Sequence, residues 1–531
     1  MNFWEENKSL LLTSYSKLSL RCLNKSSNWV LEFILISDPL ISFPSLNMSI
    51  NYSHARTCYL NKKYKECIFL LEDCDDQDSI CLKYLSKFNN LKNNNSNFEN
   101  KKMFLGLIQI NINYSIYDDL IEEMKRISND FDDLNLFIFS FILVNAGKYM
   151  DAIKYLVKSL NGFPLNREAW ELLKEVLIRF DDSVIAPVLE ELPNHWTTVL
   201  FKIELYSELQ QTEAALRLIP SLKLPRTPGI ISIEATVYYH HRDYDTANGL
   251  YEELIQKDPY HIETIDYYSN LLFIKNDVSG LANLVKKLQC IDKFKPEALI
   301  AMGNFLAIHG KHDSAIKQFA IALELQPRFY ILWSLIGHEF MEISNNSAAI
   351  ASYMKAIEMN PRDFRALYGL GKSYEMSNML YQANLYFRKS LTINPFDSRI
   401  WMELGDCYEK LGETENAIRC FQRAVCNVDN DGIAIFKLAK LYKKTNDIER
   451  AAFCFENFIE VFLGKDEIIK SYSEERSEEI KEAIVFLTHY FKDKNNFEKA
   501  IYYAEKLLYN ESTVSEGNSI IKDIRKLTTQ F

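Results

Sequence analysis

Between residues 296 and 463 the apolar positions recur with one fixed period. Gly303, Gly337, Gly371 and Gly405 stand 34 residues apart, and Ala439 takes the next step. Counted from Pro296 as position 1, large and small apolar residues fall at positions 4, 7, 8 and 11, as in Trp333, Ile336, Gly337 and Phe340. Those offsets place them in a single stripe on a helix. A second stripe follows at positions 20, 24 and 27. It runs through Ala315, Ala349, Ala383, Ala417 and Ala451, then Phe319, Tyr353, Phe387, Phe421 and Phe455, then Ala322, Ala356, Ser390 and Ala424. Pro327, Pro361 and Pro395 close the first three units. The pattern predicts antiparallel helix pairs in which the position-8 glycine faces the position-20 small residue, with large rings on either side. No pair buries its stripe alone, so stability must come from stacking on neighbours.

A 34-residue helix pair with these residue types is the tetratricopeptide repeat. The predicted fold class is therefore all-α, an α-solenoid of such repeats. Upstream the register is looser but in phase. Ala152, Pro164 and Trp170 fit it, as do Ala235, Tyr238, Ala247, Tyr251 and Pro259, while Pro220–Gly229 reads as a loop. Four regions follow: divergent N-terminal helical repeats (1–133), irregular repeats (134–295), five regular repeats (296–463) and a C-terminal helical region (464–531). Within the first, residues 86–102, rich in Asn and Lys, are expected to form a disordered insertion or long loop.

Positions 2, 5, 9 and 12 of each first helix share another stripe, predicted to line the inner wall of the solenoid. It carries Asn304; then His338; then Arg365, Tyr368, Lys372 and Glu375; then Arg399 and Asp406. Arg328 and Arg362, just after closing prolines, are placed at its edge. Amide, imidazole, cations and carboxylates together suit an extended peptide, its backbone gripped by Asn and its side chains read by charge.

Composition narrows the function classes. The formal net charge of −11 is spread along the chain, which argues against nucleic acid or anionic lipid as partner. Cys67, Cys74 and Cys81 recur every seven residues, too far apart for a structural zinc site, and Cys420 and Cys454 look like buried fillers. Leu134–Val144 is too short to cross a bilayer. These features predict a soluble, reduced, intracellular protein. Gly369-Leu-Gly371-Lys372-Ser373 mimics the end of a phosphate-binding loop, but Ala366 stands where that loop needs glycine, and the stretch lies in a repeat helix. His309 and His312 straddle an inter-helix turn without other metal ligands and read as exposed turn residues; His240 and His241 occupy the matching turn upstream. No catalytic motif and no cofactor-binding motif emerges. The chain reads as a binder, not an enzyme.

Several stretches are more particular than generic repeats. GHEFMEISNNSAAIASYMKAIEMNPRDFRALYGLGKSYE (337–375), LPNHWTTVLFKIELYSELQQTEAAL (192–216), QKDPYHIETIDYYSNLLF (256–273) and LGDCYEKL (404–411) closely resemble one family of tetratricopeptide subunits of the anaphase-promoting complex, or cyclosome. That family is subunit eight, the cell division cycle twenty-three proteins. The resemblance covers roughly residues 134–460. It implies a non-catalytic scaffold of a cullin–RING ubiquitin ligase in nucleus and cytoplasm, homodimeric through its N-terminal repeats and associated with other repeat and scaffold subunits. It also implies a WD40 activator whose short basic–aromatic motif enters the groove. Asn304 and His338 match that groove by position, and Glu339, Glu375 and Asp406 are placed to balance an arginine of the motif. The competing expectation is a co-chaperone clamp for acidic C-termini. Such a clamp resembles a set of Lys and Asn at positions 5 and 9, and position 5 here is Ile300, Ser334, Tyr368 and Met402.

Overall fold

The structure, a computed structural model, describes residues 3–37, 49–74, 76–96, 102–104, 107–109, 114–222, 224–327, 329–427, 432–463, 474–507, 518–519 and 521–522. They form an all-α tetratricopeptide array with one short antiparallel hairpin, in which Met103 pairs with Ile108. The five regular pairs begin at Pro296–Ile308 with His312–Leu325 and end at Ile433–Lys444 with Ile448–Leu463. The chain divides into two compact units. One is Met1–Ser344 with Lys355–Arg362; the other is Asn345–Met354 with Asp363–Phe531.

The turns within pairs explain how the period survives changing sequence. Arg242, Asn276, Gly310, Ser344, Asn378, Gly412 and Asn446 all have positive φ, and each stands 34 residues after the last. The next residue's N–H then donates back five residues, as from Lys311 to Leu306 (3.0 Å) and from Glu413 to Tyr408 (2.9 Å). This left-handed cap satisfies end carbonyls and reverses the chain. Gly and Asn suit it for lack of steric conflict. The first two members lie in the irregular region, so its phase is that of the regular array.

Packing inside the pairs follows the predicted stripes with one correction. Ala247, Ala315, Ala383, Ala417 and Ala451 are fully buried, as are Tyr251, Phe319, Phe387, Phe421 and Phe455 four residues on. The surface nearest Gly303, Gly371 and Gly405 is this ring, not the position-20 small residue. A Cβ on Gly303 would stand 2.2 Å from the Phe319 ring, on Gly371 2.7 Å from Phe387, and on Gly405 2.8 Å from Phe421. The small residue brings the second helix close enough for its ring to meet the first helix at the glycine.

A second correction concerns residues 86–102. The helix Gln77–Ser96 runs through most of the Asn-rich stretch. Tyr84 and Phe88 are buried and Leu85 and Leu91 pack against the core, so an apolar stripe persists beneath the Asn and Lys. Residues 97–101 lie outside the described residues. The run Leu134–Val144 sits in the helix Asp133–Asn145, buried on nearly every face. Among the described residues no helix is long and apolar enough to cross a membrane. Cys420 and Cys454 are buried, as expected of fillers. Most of the charged run 465–481 lies outside the described residues.

The N-terminal helix pair, Phe3–Leu20 and Asn24–Ser37, is fixed by long-range contacts. Arg21, 6% exposed, bridges Asp78 (2.5 Å) and Asp132 (2.6 Å). The helix Asn24–Ser37 meets the starts of three later first helices. Ser26 Oγ bonds Asn166 Oδ1 (2.9 Å), the Trp29 ring lies 5.5 Å from that of Trp196, and the Gly229 N–H donates to Glu32 Oε2 (3.3 Å).

Candidate functional site

Each compact unit presents a polar face built from its first helices, and the predicted groove residues divide between the two units. In the N-terminal unit, Asn304 is 3% exposed, and its Nδ2 donates to Asn270 Oδ1 (2.6 Å) and Ser269 Oγ (3.0 Å). It therefore joins successive first helices and does not offer a free amide. Glu339 is also buried and meets His312 Nδ1 at 2.7 Å, so His312 is half-buried and paired, not an exposed turn residue. His309 is exposed, as expected, with its ring on Phe305. His338 keeps half its side chain exposed, and its bond to Glu339 holds its pKa above the ordinary value. Arg362, expected at the groove's edge, is engaged in ion pairs. It reaches Asp182 (3.2 Å) and Asp181 (3.5 Å) at the start of the helix Asp182–Glu191, about 180 residues earlier, and clamps two stretches of the same unit. Arg328 lies outside the described residues.

In the C-terminal unit, Lys372 bridges Glu403 Oε2 (2.7 Å) and Glu375 Oε2 (2.9 Å). Glu375 also meets Lys410 at 2.6 Å. Burial alone would raise its pKa, but the two ammonium groups hold it below the ordinary value. Asp406 pairs with Lys437 (2.5 Å), and Glu409 pairs with Lys444. These contacts follow a rule the helical stripe does not show. Lys372–Glu403 and Asp406–Lys437 are each separated by 31 residues with charge inverted, and Glu375–Lys410 and Glu409–Lys444 each by 35. Spacings of one repeat less three, or plus one, join neighbouring first helices. A scan for opposite charges at those intervals would have found Glu403, Lys410, Lys437 and Lys444. Tyr368 is partly buried beside Phe387, and burial pushes its hydroxyl up to about 12. Arg365 and Arg399 lie beside the helix-capping Asp363 (3.8 Å) and Asp397 (3.4 Å), and Arg399 keeps 65% of its side chain exposed. Lys372 and Ser373 of the phosphate-loop mimic sit within the helix Phe364–Met376, Ser373 Oγ donating to the Gly369 carbonyl.

The N-terminal unit also holds a charge network the sequence reading missed. Glu204, 7% exposed, receives Arg167 (2.7 Å) and Lys174 (3.2 Å). Arg167 also meets Glu171 (3.3 Å), and its guanidinium stands 5.9 Å from the Trp29 ring centre. Burial alone would raise the Glu204 pKa; the cations bring it below normal. Lys25 completes the chain at Glu171 (2.7 Å). Among the described residues no group of His, Cys, Asp and Glu is gathered to hold a metal ion.

Comparison with known proteins supports the family resemblance. Residues 46–222 match the family model of anaphase promoting complex subunit 8 / Cdc23. Tetratricopeptide models match residues 337–378, 398–425 and 434–462. Anaphase-promoting complex subunit 8 of Dictyostelium discoideum is 33% identical over 44% of this chain and 39% of its own length. The cell division cycle protein 23 homolog of Caenorhabditis elegans is 30% identical over 58% of this chain and 46% of its own. These alignments span about two fifths to one half of the relatives' length. A chain in the crystal structure of the APC/C hetero-tetramer Cut9–Hcn1 has the same fold, with a TM-score of 0.58, 13% identity and coverage of 97% of this chain and 96% of that one. Residues 46–222 are thus similar to the subunit 8 / Cdc23 family, and tetratricopeptide repeats follow them.

Proposed function

We propose that the chain is a non-catalytic scaffold subunit of an anaphase-promoting complex, a cullin–RING ubiquitin ligase that modifies cell-cycle regulators in nucleus and cytoplasm. In this reading it homodimerises through its N-terminal repeats, contacts other repeat and scaffold subunits, and receives the short basic–aromatic motif of a WD40 activator. The observation that carries the reading is the family match over residues 46–222, upstream of the regular repeats, where generic repeat periodicity cannot produce it. Recovery of the tagged protein from cells tests it. Co-purification of a cullin, a RING subunit and further repeat subunits is expected, and recovery with chaperones alone would refute it.

The peptide seat is proposed on the first-helix face of the C-terminal unit that presents Tyr368, Lys372 and Arg399. Glu375 and Asp406 already carry lysine partners. An incoming arginine must therefore compete with Lys410 or Lys437. Removing Lys410 should strengthen binding of a basic motif peptide to the purified protein, and Glu375→Gln should weaken it. If fluorescence anisotropy shows neither change, the seat is not on this face.

A further inference from the structure

Two aromatic rings stand out of the N-terminal unit one repeat apart. Tyr260 is 75% exposed and Phe294 is 65% exposed. Each sits in a loop that joins a second helix to the next first helix, Tyr244–Lys257 to Ile265–Ile274 and Val278–Asp292 to Pro296–Ile308. The same turn presents both. The Tyr260 N–H donates to Asp258 Oδ1 and the Phe294 N–H donates to Asp292 Oδ1, each at 3.0 Å. An aspartate that accepts from the second residue after it closes a tight turn and fixes the direction of that residue. Two repeats after Phe294 the matching position is Arg362, whose N–H donates to Asn360 Oδ1 (3.0 Å). From that turn the Arg362 side chain projects onto Asp181 and Asp182. This loop position therefore reaches outward to a partner where the chain supplies one. Beside Phe294, Lys286, Lys287, Lys293 and Lys295 are exposed and have no ion partner among the described residues. Lys257 and Lys275, by contrast, are held by Glu253 (2.9 Å) and Asp245 (2.7 Å). The Lys293 ammonium stands 4.9 Å from the Phe294 ring centre.

We infer that this loop edge binds a proline-rich segment of another protein, with a proline on each of Tyr260 and Phe294 and acidic residues beside them on the lysines. Spacing carries the argument. The first helices that follow the two loops are in contact, since the Asn304 amide donates to Asn270 Oδ1 (2.6 Å). Helices packed in this way lie about 8–10 Å apart. A polyproline II helix turns once in three residues and rises about 9 Å in that turn. Prolines at i and i+3 therefore meet successive rings. Flat exposed rings suit such a segment, which is extended before it binds and loses little freedom on docking. Charge chooses the flanks. Lysines without partners attract a short acidic segment, while a chain of net charge −11 repels a long polyanion such as a nucleic acid. The edge lies apart from the first-helix seat proposed above and does not rest on that reading.

The test uses the purified full-length protein and a fluorescein-labelled peptide, Glu-Asp-Pro-Ala-Ala-Pro-Glu-Asp-amide, read by fluorescence anisotropy. It should bind at least about ten-fold more tightly than the same peptide with both prolines replaced by alanine. A peptide with its prolines adjacent should lose affinity as well, because only one ring is then met. Tyr260→Ala and Phe294→Ala should each weaken binding at least about five-fold. Both rings are exposed, so neither change should lower the melting temperature. Lys286→Glu with Lys293→Glu should weaken the acidic peptide and leave a version with Gln and Asn flanks unaffected. Equal binding of the proline and alanine peptides, no binding up to about 1 mM, or no effect of the two ring variants overturns the inference. Oligothymidylate that binds the same edge more tightly than the peptide would make the occupant a nucleic acid and also overturn it. So would a sedimentation mass that falls in the Tyr260→Ala, Phe294→Ala double variant, which would make the occupant a second copy.

Discussion

The polar faces of the two compact units are built from the same kind of helix and carry charge in opposite ways. In the C-terminal unit the ion pairs follow the repeat. Each joins one first helix to the next at 31 or 35 residues, and the side chains are mostly a fifth to two thirds exposed. In the N-terminal unit Lys174–Glu204 and Arg167–Glu204, at 30 and 37 residues, also join neighbouring first helices, but both cations converge on one buried carboxylate. Arg167 and Glu204 are 12% and 7% exposed, and a helix from about 140 residues earlier completes their surroundings. A regular array can only repeat a modest, solvated contact. A deeply buried charge network needs elements from distant parts of the chain to exclude water from it.

That contrast can be broken experimentally. Arg167→Met should have the largest effect, because it leaves Glu204 buried with only Lys174, and a broken buried pair costs about 3–5 kcal/mol. A urea midpoint within experimental error of wild type would show that the network does not hold the N-terminal unit. Gly371→Leu should cost about 1–3 kcal/mol, since any side chain there collides with the Phe387 ring. An unchanged melt of the C-terminal unit would contradict the ring-on-glycine packing.

Asp266 gives a pH test of burial in the N-terminal unit. Its folded-state pKa, about 7, lies above the ordinary 3.8, so the native state holds a proton the unfolded chain releases. The associated stability is present below the ordinary value and is lost as pH rises through about 7. The slope is at most about 1.4 kcal/mol per pH unit. Asp266→Asn should remove this decline, so wild type and variant should diverge between acid and neutral pH in denaturant titrations. Parallel curves would show that the carboxyl is not held protonated. The smallest effect belongs to the C-terminal ladder. Lys437→Met breaks a half-solvated pair and should cost less than about 1 kcal/mol, and the difference should vanish in about 0.5 M salt. A loss as large as that of Arg167→Met would erase the contrast between the units.

The groove was legible only in part, for a physical reason. Helical periodicity tells which residues share a face, and it placed Tyr368, Lys372, Glu375 and Asp406 correctly on the first helices. It does not tell which of them a neighbouring helix will cover or pair. Asn304 satisfies its amide on the preceding first helix, and Arg362 turns to Asp181 and Asp182. In both cases the partner lies one repeat or many repeats away, beyond what helical periodicity reports. The Asn-rich stretch misled in another way: composition suggested a loop, while Tyr84, Phe88 and Leu91 kept a helical stripe beneath the polar residues.

By itself the sequence determined the helix pairs, their 34-residue phase and the ring-and-alanine core, because each depends on residues within one repeat or its immediate neighbour. The left-handed turns obey the same local chemistry and carry the phase into the irregular region. Only the tertiary structure decided that the helix Asn24–Ser37 meets the starts of later first helices and that Arg167 and Glu204 share a largely buried network. Those outcomes depend on which distant surfaces exclude water from one another, and no local pattern of hydrophobic and polar residues records that.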